Sequence, residues 1–345
     1  MRNSLVVRAA MAGMLIVLSV ATTEAQIYES IGIRAQGMGG AFVAVADDAS
    51  GTWWNPAGLA SGAYFNAIIE YGETQEPRMA TGAGGEALPS WRTSARGVAL
   101  AFPAMGLSYY RLRVSQIQPI GATAASGLDR QDQGRAPVRS TSLALQQFGA
   151  TAGQSLGGHL VLGSTVKVVR AGLASADGAA GDASLDNASA LSADGETHLD
   201  LDLGAMAKFG ALRLGVAAKN VREPSFGSGD NRLTLMRQVR AGLSVTSGRH
   251  GTAGPFTVAA DADLSRTATA TGEARHVGAG GEAWLFSRSL GLRGGVSANT
   301  TGQARPAASG GVSLALRSGT YVDAEGTFGS DQERKGWGFA LRVTF

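Results

Sequence analysis

The stretch HLDLDLGAMAK, residues 198–208, decides how this chain folds. Leu199, Leu201, Leu203, Ala205 and Ala207 share one parity, and His198, Asp200, Asp202, Met206 and Lys208 share the other. Successive side chains of an extended strand point to opposite faces, so one face meets apolar surroundings and the other carries charge. The alternation returns in FTVAADADL (256–264), where Val258, Ala260, Ala262 and Leu264 oppose Asp261 and Asp263. It returns again in ALRLGVAAK (211–219), where Leu212, Leu214 and Val216 oppose Arg213 and Lys219. In YYRLRV (109–114) the same reading assigns Tyr110, Leu112 and Val114 to the apolar outside, and Arg111 and Arg113 to the interior. A soluble sandwich also alternates, so the connections must separate the two architectures.

Working outward from that stretch, about fourteen runs follow residue 62: 62–72, 95–103, 105–114, 139–153, 157–170, 197–209, 211–219, 232–246, 254–264, 275–286, 289–299, 307–317, 319–328 and 336–345. Long connections alternate with very short ones, as in outer-membrane barrels with short periplasmic turns and long outer loops. The fold expected is therefore all-β, a closed antiparallel transmembrane barrel. In the last run, GWGFALRVTF, Trp337, Phe339, Leu341, Val343 and Phe345 fall on one parity. That pattern resembles the C-terminal signal read by the barrel-assembly machinery. The interior set is charged: Arg111, Arg113, Lys167, Asp200, Asp202, Arg213, Asp261, Asp263, Arg293, Asp323, Glu325 and Arg342. Its signs nearly balance, which favours ion pairs packed around a plug over an ion-selective pore. Arg237 shares its parity with Leu233, Leu235 and Val239, and is expected at the outer interface, where a long side chain reaches water.

Composition agrees. Fifty glycines and 6% aromatics among 345 residues suit strands and turns, since glycine costs a helix about 1 kcal/mol against alanine. The net charge of +3 is dispersed, with no basic arm, which argues against a nucleic-acid partner. The absence of cysteine excludes disulfides and thiolate metal sites. His159, His198, His250 and His276 are scattered, and no H-E-x-x-H or G-x-S-x-G motif occurs, so neither an enzyme nor a cofactor is expected. Residues 1–25 read as a signal peptide: Arg2 and Arg8, an apolar run from Ala9 to Val20, then Thr23-Glu24-Ala25. The run is too short to span a bilayer, which takes about 20 residues.

Residues 26–61 lack a period of two and form a separate segment before the barrel at 62–345. Asp47 and Asp48 suit capping and anchoring better than cation binding or acid–base work, because adjacent side chains point apart. Gly37, Gly39 and Gly40 lack the strand, the third glycine and the lysine of a phosphate loop, and suit close packing. Trp53 and Trp54 fit either an interface anchor or a plug core. Arg34-Ala35, Gly37-Met38-Gly39-Gly40-Ala41, Ala46-Asp47-Asp48-Ala49 and Trp54-Asn55-Pro56-Ala57-Gly58-Leu59 resemble the N-terminal region of the outer-membrane fatty-acid channel (FadL) superfamily, which includes the PorV and PorQ proteins. The resemblance implies a fourteen-stranded barrel with this segment as a luminal hatch. It implies passive transport of a hydrophobic ligand such as a fatty acid, gated by the hatch. The alternative is a PorV-like barrel that binds secretion-system proteins. Either lives in outer-membrane lipid. An apolar pocket against the hatch favours transport; a charge-filled interior favours the alternative.

Overall fold

The computed structural model describes residues 31–76, 80–81, 87–88, 90–120, 136–192, 194–229, 232–248, 254–269, 272–330 and 334–345. The expected signal peptide and His250 lie outside them. Fourteen strands close into one antiparallel barrel. In chain order they are β1 (Asn66–Glu76), β2 (Ser90–Phe102), β3 (Met105–Pro119), β4 (Pro137–Leu156), β5 (Leu160–Ala179), β6 (Glu196–Phe209) and β7 (Leu212–Lys219). Then follow β8 (Gln238–Thr246), β9 (Phe256–Asp263), β10 (His276–Leu285), β11 (Leu290–Asn299), β12 (Ala307–Arg317), β13 (Thr320–Gly329) and β14 (Lys335–Thr344). Each strand pairs with its chain neighbours, and β14 returns to β1 in a ladder from Asn66↔Thr344 to Gln75↔Lys335. Closure leaves no unpaired edge, the condition for a sheet to sit in lipid.

The alternation that marks the strands also sets their faces. In β6 Leu199 and Leu203 are exposed on the outside while Asp200, Asp202 and Met206 are buried inside. Val258 on β9, Leu214 and Val216 on β7, and Phe339 and Leu341 on β14 continue the apolar exterior. Phe65 and Phe345 stack and exchange backbone hydrogen bonds of 3.1 and 2.9 Å beside the closing ladder.

Three departures from the sequence reading matter. First, β3 is inverted. Its buried interior residues are Ser108, Tyr110, Leu112 and Val114, whereas Arg111 and Arg113 share the outward parity of exposed Met105, Leu107 and Tyr109. The run Tyr-Arg-Leu-Arg-Val alternates equally well either way, and the exterior here supports two arginines because the strand extends past its apolar end.

Second, the expected strand 232–246 begins only at Gln238. Leu233 and Thr234 instead pair with Ser225 and Phe226, and Leu233, Leu235 and Phe226 are buried rather than facing lipid. Arg237 stands just outside β8, with its backbone N–H donated to Glu223 Oε1 at 3.1 Å. Third, the long connection after β5 contains a short helix, Leu185–Ala190. It packs Leu185 and Ala188 against Ile117 and Val138 on the outside of β3 and β4.

Candidate functional site

The segment before the barrel folds inside it as two single turns, α1 (Ile33–Gln36) and α2 (Gly51–Trp54), and a 3-10 turn at Pro56–Ser61. Such short helices leave most backbone N–H groups without intrahelical partners, and each needs an acceptor once buried. The wall supplies them. Glu70 of β1 accepts Gly32 N–H and Ile33 N–H at 3.0 and 3.1 Å. Asp261 of β9 accepts Phe42 N–H and Val43 N–H, both at 2.7 Å. Asn66 accepts Ala49 N–H at 2.8 Å, and Ser309 accepts Gly39 N–H at 3.0 Å. Asn55 accepts Ala57 N–H at 3.1 Å, which starts the 3-10 turn with Pro56 at its first position. Its Nδ2 donates to Val43 O at 2.8 Å and to Ala205 O of the wall at 3.3 Å.

Charge fastens the same segment. Arg34 donates to Asp47 at 2.5 Å, to Asp48 at 3.2 Å and twice to Glu282 of β10 at 2.6 Å. Burial alone would lower the Arg34 pKa, but Asp47, Glu282 and Asp48 outweigh it, and the net shift is upward. Glu282 also accepts from Arg293 at 2.7 Å; Arg293 reaches Asp323 at 3.4 Å, and Arg342 meets Asp323 at 2.8 Å. The result is one chain of alternating sign running from α1 into β10, β11, β13 and β14. Asp48 turns its other oxygen to Ser50 N–H at 3.0 Å, so it caps the turn and anchors it as well.

Elsewhere in the interior, Lys167 lies 3.2 and 2.6 Å from Asp200 and Asp202, and Arg240 lies 2.6 Å from Asp263. Arg213 extends to 3.5 Å from Val45 O, and buried Glu325 accepts from Thr327 at 3.1 Å. Of the twelve charged residues expected inside, Arg111 and Arg113 alone face outward. Sequence reading missed Glu70, Glu282 and Arg240. Each occupies the inward parity of its strand, and Glu282 stands out as the single charge in GAGGEAW (278–284).

Close approach explains the glycines. Gly39 has φ +68°, and a Cβ there would lie 2.7 Å from Val296 O. On the wall opposite, a Cβ on Gly295 would lie 2.3 Å from Gly39 N. Backbone therefore meets backbone with no side chain between. Gly37, Gly40 and Gly58 belong to the same tightly packed segment. Trp53 and Trp54 are buried inside the barrel: Trp54 is fully buried edge-on to Phe42, and its Nε1 donates to Ile31 O at 3.0 Å. Trp53 stands edge-on to Tyr110, with ring centroids 5.4 Å apart.

From Trp53 and Tyr110 an apolar column continues toward the loop end of the barrel. Leu112 and Val114 of β3, Leu143 and Leu145 of β4, and Val169 and Ala171 of β5 form its wall side. Phe226, Leu233 and Leu235 close over it. The opposite half of the lumen is polar. A cavity of about 130 Å³ there is lined by Gln36, Thr74, Thr93, Ser297, Ser309 and Thr327, with Gly39 and Gly40 as its floor. At the short-turn end a vestibule of about 560 Å³ borders Arg34, Asp47, Asp48, Arg288, Arg342 and Phe345.

With this geometry in hand, comparisons place the chain among known proteins. The family described as "F plasmid transfer operon, TraF, protein" matches residues 52–263, more than half of the chain. The chain belongs to that family. In this TraF-family barrel the match runs from within α2 to the end of β9. No curated protein matches it in sequence.

Among solved structures, the TraF-family chain resembles the CymD monoaromatic hydrocarbon channel (TM-score 0.63, 12% identity, 93% of this chain and 99% of that one). It also resembles the Ralstonia pickettii toluene transporter TbuX (TM-score 0.54, 13% identity, 92% and 99%). A Pseudomonas aeruginosa FadL homologue gives TM-score 0.55 at 13% identity over 94% and 98%. The fold is that of the fatty-acid channel superfamily, in keeping with the N-terminal motifs.

Proposed function

We propose that the chain is a passive outer-membrane channel for hydrophobic small molecules, with residues 26–61 as its gate. The observation that carries this reading is the apolar column of Tyr110, Leu112, Val114, Leu143, Leu145 and Val169, which meets the hatch at Trp53. An apolar solute gains roughly 25 cal/mol for each Å² it withdraws from water, so such a column attracts it without any specific hydrogen bond. Most charged groups of the interior are engaged with each other or with the backbone of residues 31–61, so they act chiefly as fastenings. The fold shared with hydrocarbon channels supports the same reading.

Uptake of toluene and of a long-chain fatty acid by proteoliposomes tests it. Deleting residues 26–61 should increase the flux of both. Leu145→Asn with Val169→Asn should reduce it, because each leaves an unpartnered amide in the column at a cost of about 1–3 kcal/mol. Flux that ignores both changes refutes the proposal.

A further inference from the structure

The two arginines that β3 turns outward belong to a larger arrangement. Hydrogen-bonded register aligns Arg96 of β2 with Arg111 of β3, Arg111 with Gln146 of β4, and Gln146 with Arg170 of β5. All four residues face the exterior in one row. The next outward row toward the short-turn end is Ile69, Val98, Tyr109, Phe148, Val168 and Leu199, which is apolar or aromatic and exposed throughout. A band of cations thus sits directly on the rim of the lipid-facing surface, on the side of the long loops.

Above the row the neighbouring cations are already held. Arg92 meets Asp186 at 2.6 Å and Glu73 at 3.7 Å, and Arg113 donates to Ser189 O of the docked helix. Among the described residues, Arg96, Arg111 and Arg170 have no ion pair or hydrogen bond to protein. Like charges directly opposite on paired strands repel, and an arginine facing lipid is costly near the bilayer centre. An anion bridging the row removes both penalties. Guanidinium forks match phosphate oxygens in two-point hydrogen bonds, and the apolar row beneath is placed for acyl chains.

We propose that Arg96, Arg111 and Arg170, with Gln146 between them, bind the phosphorylated headgroup of an outer-leaflet lipid whose acyl chains lie along Val98, Tyr109, Phe148 and Val168. The helix at Leu185–Ala190 roofs this site. It keeps Arg92 and Arg113 occupied, so the three free arginines are the ones a lipid meets. The proposal concerns the outside wall and is independent of what passes through the lumen.

Native mass spectrometry of the purified full-length barrel in neutral detergent, titrated with diphosphorylated lipid A, tests it. The wild type should retain lipid A in preference to phosphatidylcholine. R96Q/R111Q/R170Q should bind at least about tenfold more weakly, given the strength of hydrogen bonds between charged groups. R317Q, on β12 at the other end of the barrel, should bind as the wild type does. Should the triple variant fail to fold, R111K supplies the test: it keeps the charge, loses the fork and should weaken binding severalfold. Equal retention of lipid A by the wild type and whichever variant folds overturns the proposal. So does equal binding of phosphatidylcholine, or full displacement by millimolar inorganic phosphate, which would mark a simple anion site.

Discussion

Replacing Arg34 with alanine should unseat the hatch while leaving the barrel closed. Arg34 touches three carboxylates, but they do not lose equally. The Asp47 side chain is 32% exposed and can be hydrated. Glu282 keeps Arg293 at 2.7 Å and Trp284 Nε1 at 2.8 Å. Asp48, with its side chain only 2% exposed, keeps the hydrogen bonds from Ser50 N–H and Oγ–H but loses the cation at 3.2 Å. Breaking a buried ion pair costs about 3–5 kcal/mol, and with two of three acids retaining partners the loss should fall near 3. At about 1.4 kcal/mol per factor of ten, the population with the hatch released rises roughly 100-fold. Hydrogen exchange on the purified protein measures this directly. Backbone amides of residues 33–45 should exchange about 100-fold faster in R34A, whereas those of β6 and β7 change less than about twofold. R34K, which keeps a cation but not the fork, should lie between. Wild-type protection of the hatch in R34A, or equal loosening of hatch and barrel, refutes the reasoning.

Other perturbations separate the remaining claims. Gly39→Ala forces a side chain into a left-handed backbone, at about 1–2 kcal/mol, and against Val296 O; exchange at Phe42 and Val43 should rise at least about tenfold. Lys167→Met strands Asp200 and Asp202 and should destabilise the barrel by about 3–5 kcal/mol in urea unfolding from vesicles, with K167M/D200L/D202L recovering most of the loss. Single cysteines at positions 111 and 112 test the inverted strand: in the folded barrel, a maleimide should label the first much faster than the second. Removing Phe345 deletes its stacking on Phe65 and two backbone hydrogen bonds beside the closing ladder, and should lower the fraction of heat-modifiable, assembled barrel in the membrane.

Strand number and closure were legible because each rests on a local rule repeated many times: alternation, and short turns against long loops. A single parity choice rests on far less. In HLDLDLG the aspartates have only one acceptable side, since their charge must be paired or hydrated. In YYRLRV both faces suit the chain, because arginine reaches water from an interface and leucine packs in a lumen as readily as against lipid. What settles β3 is remote in sequence: Tyr110 is claimed by Trp53 of the hatch, and Arg113 by Ser189 of a helix 76 residues on. The same applies to Leu233 and Leu235, whose periodicity fits a spanning strand but which fold inward with Phe226. These errors share a direction. Each assigned to lipid an apolar residue that belongs inside, so the charged interior read from sequence omitted the apolar half. With β3 inverted and the 225–234 hairpin folded in, the lumen holds an apolar cluster that meets residues 31–61 at Trp53, beside the ion pairs that fasten that segment. Under the function proposed above, an apolar solute follows that cluster to Trp53, where Lys219 Nζ lies 3.0 Å from the ring centroid, and release of the ion pairs at Arg34 is the step that opens the way.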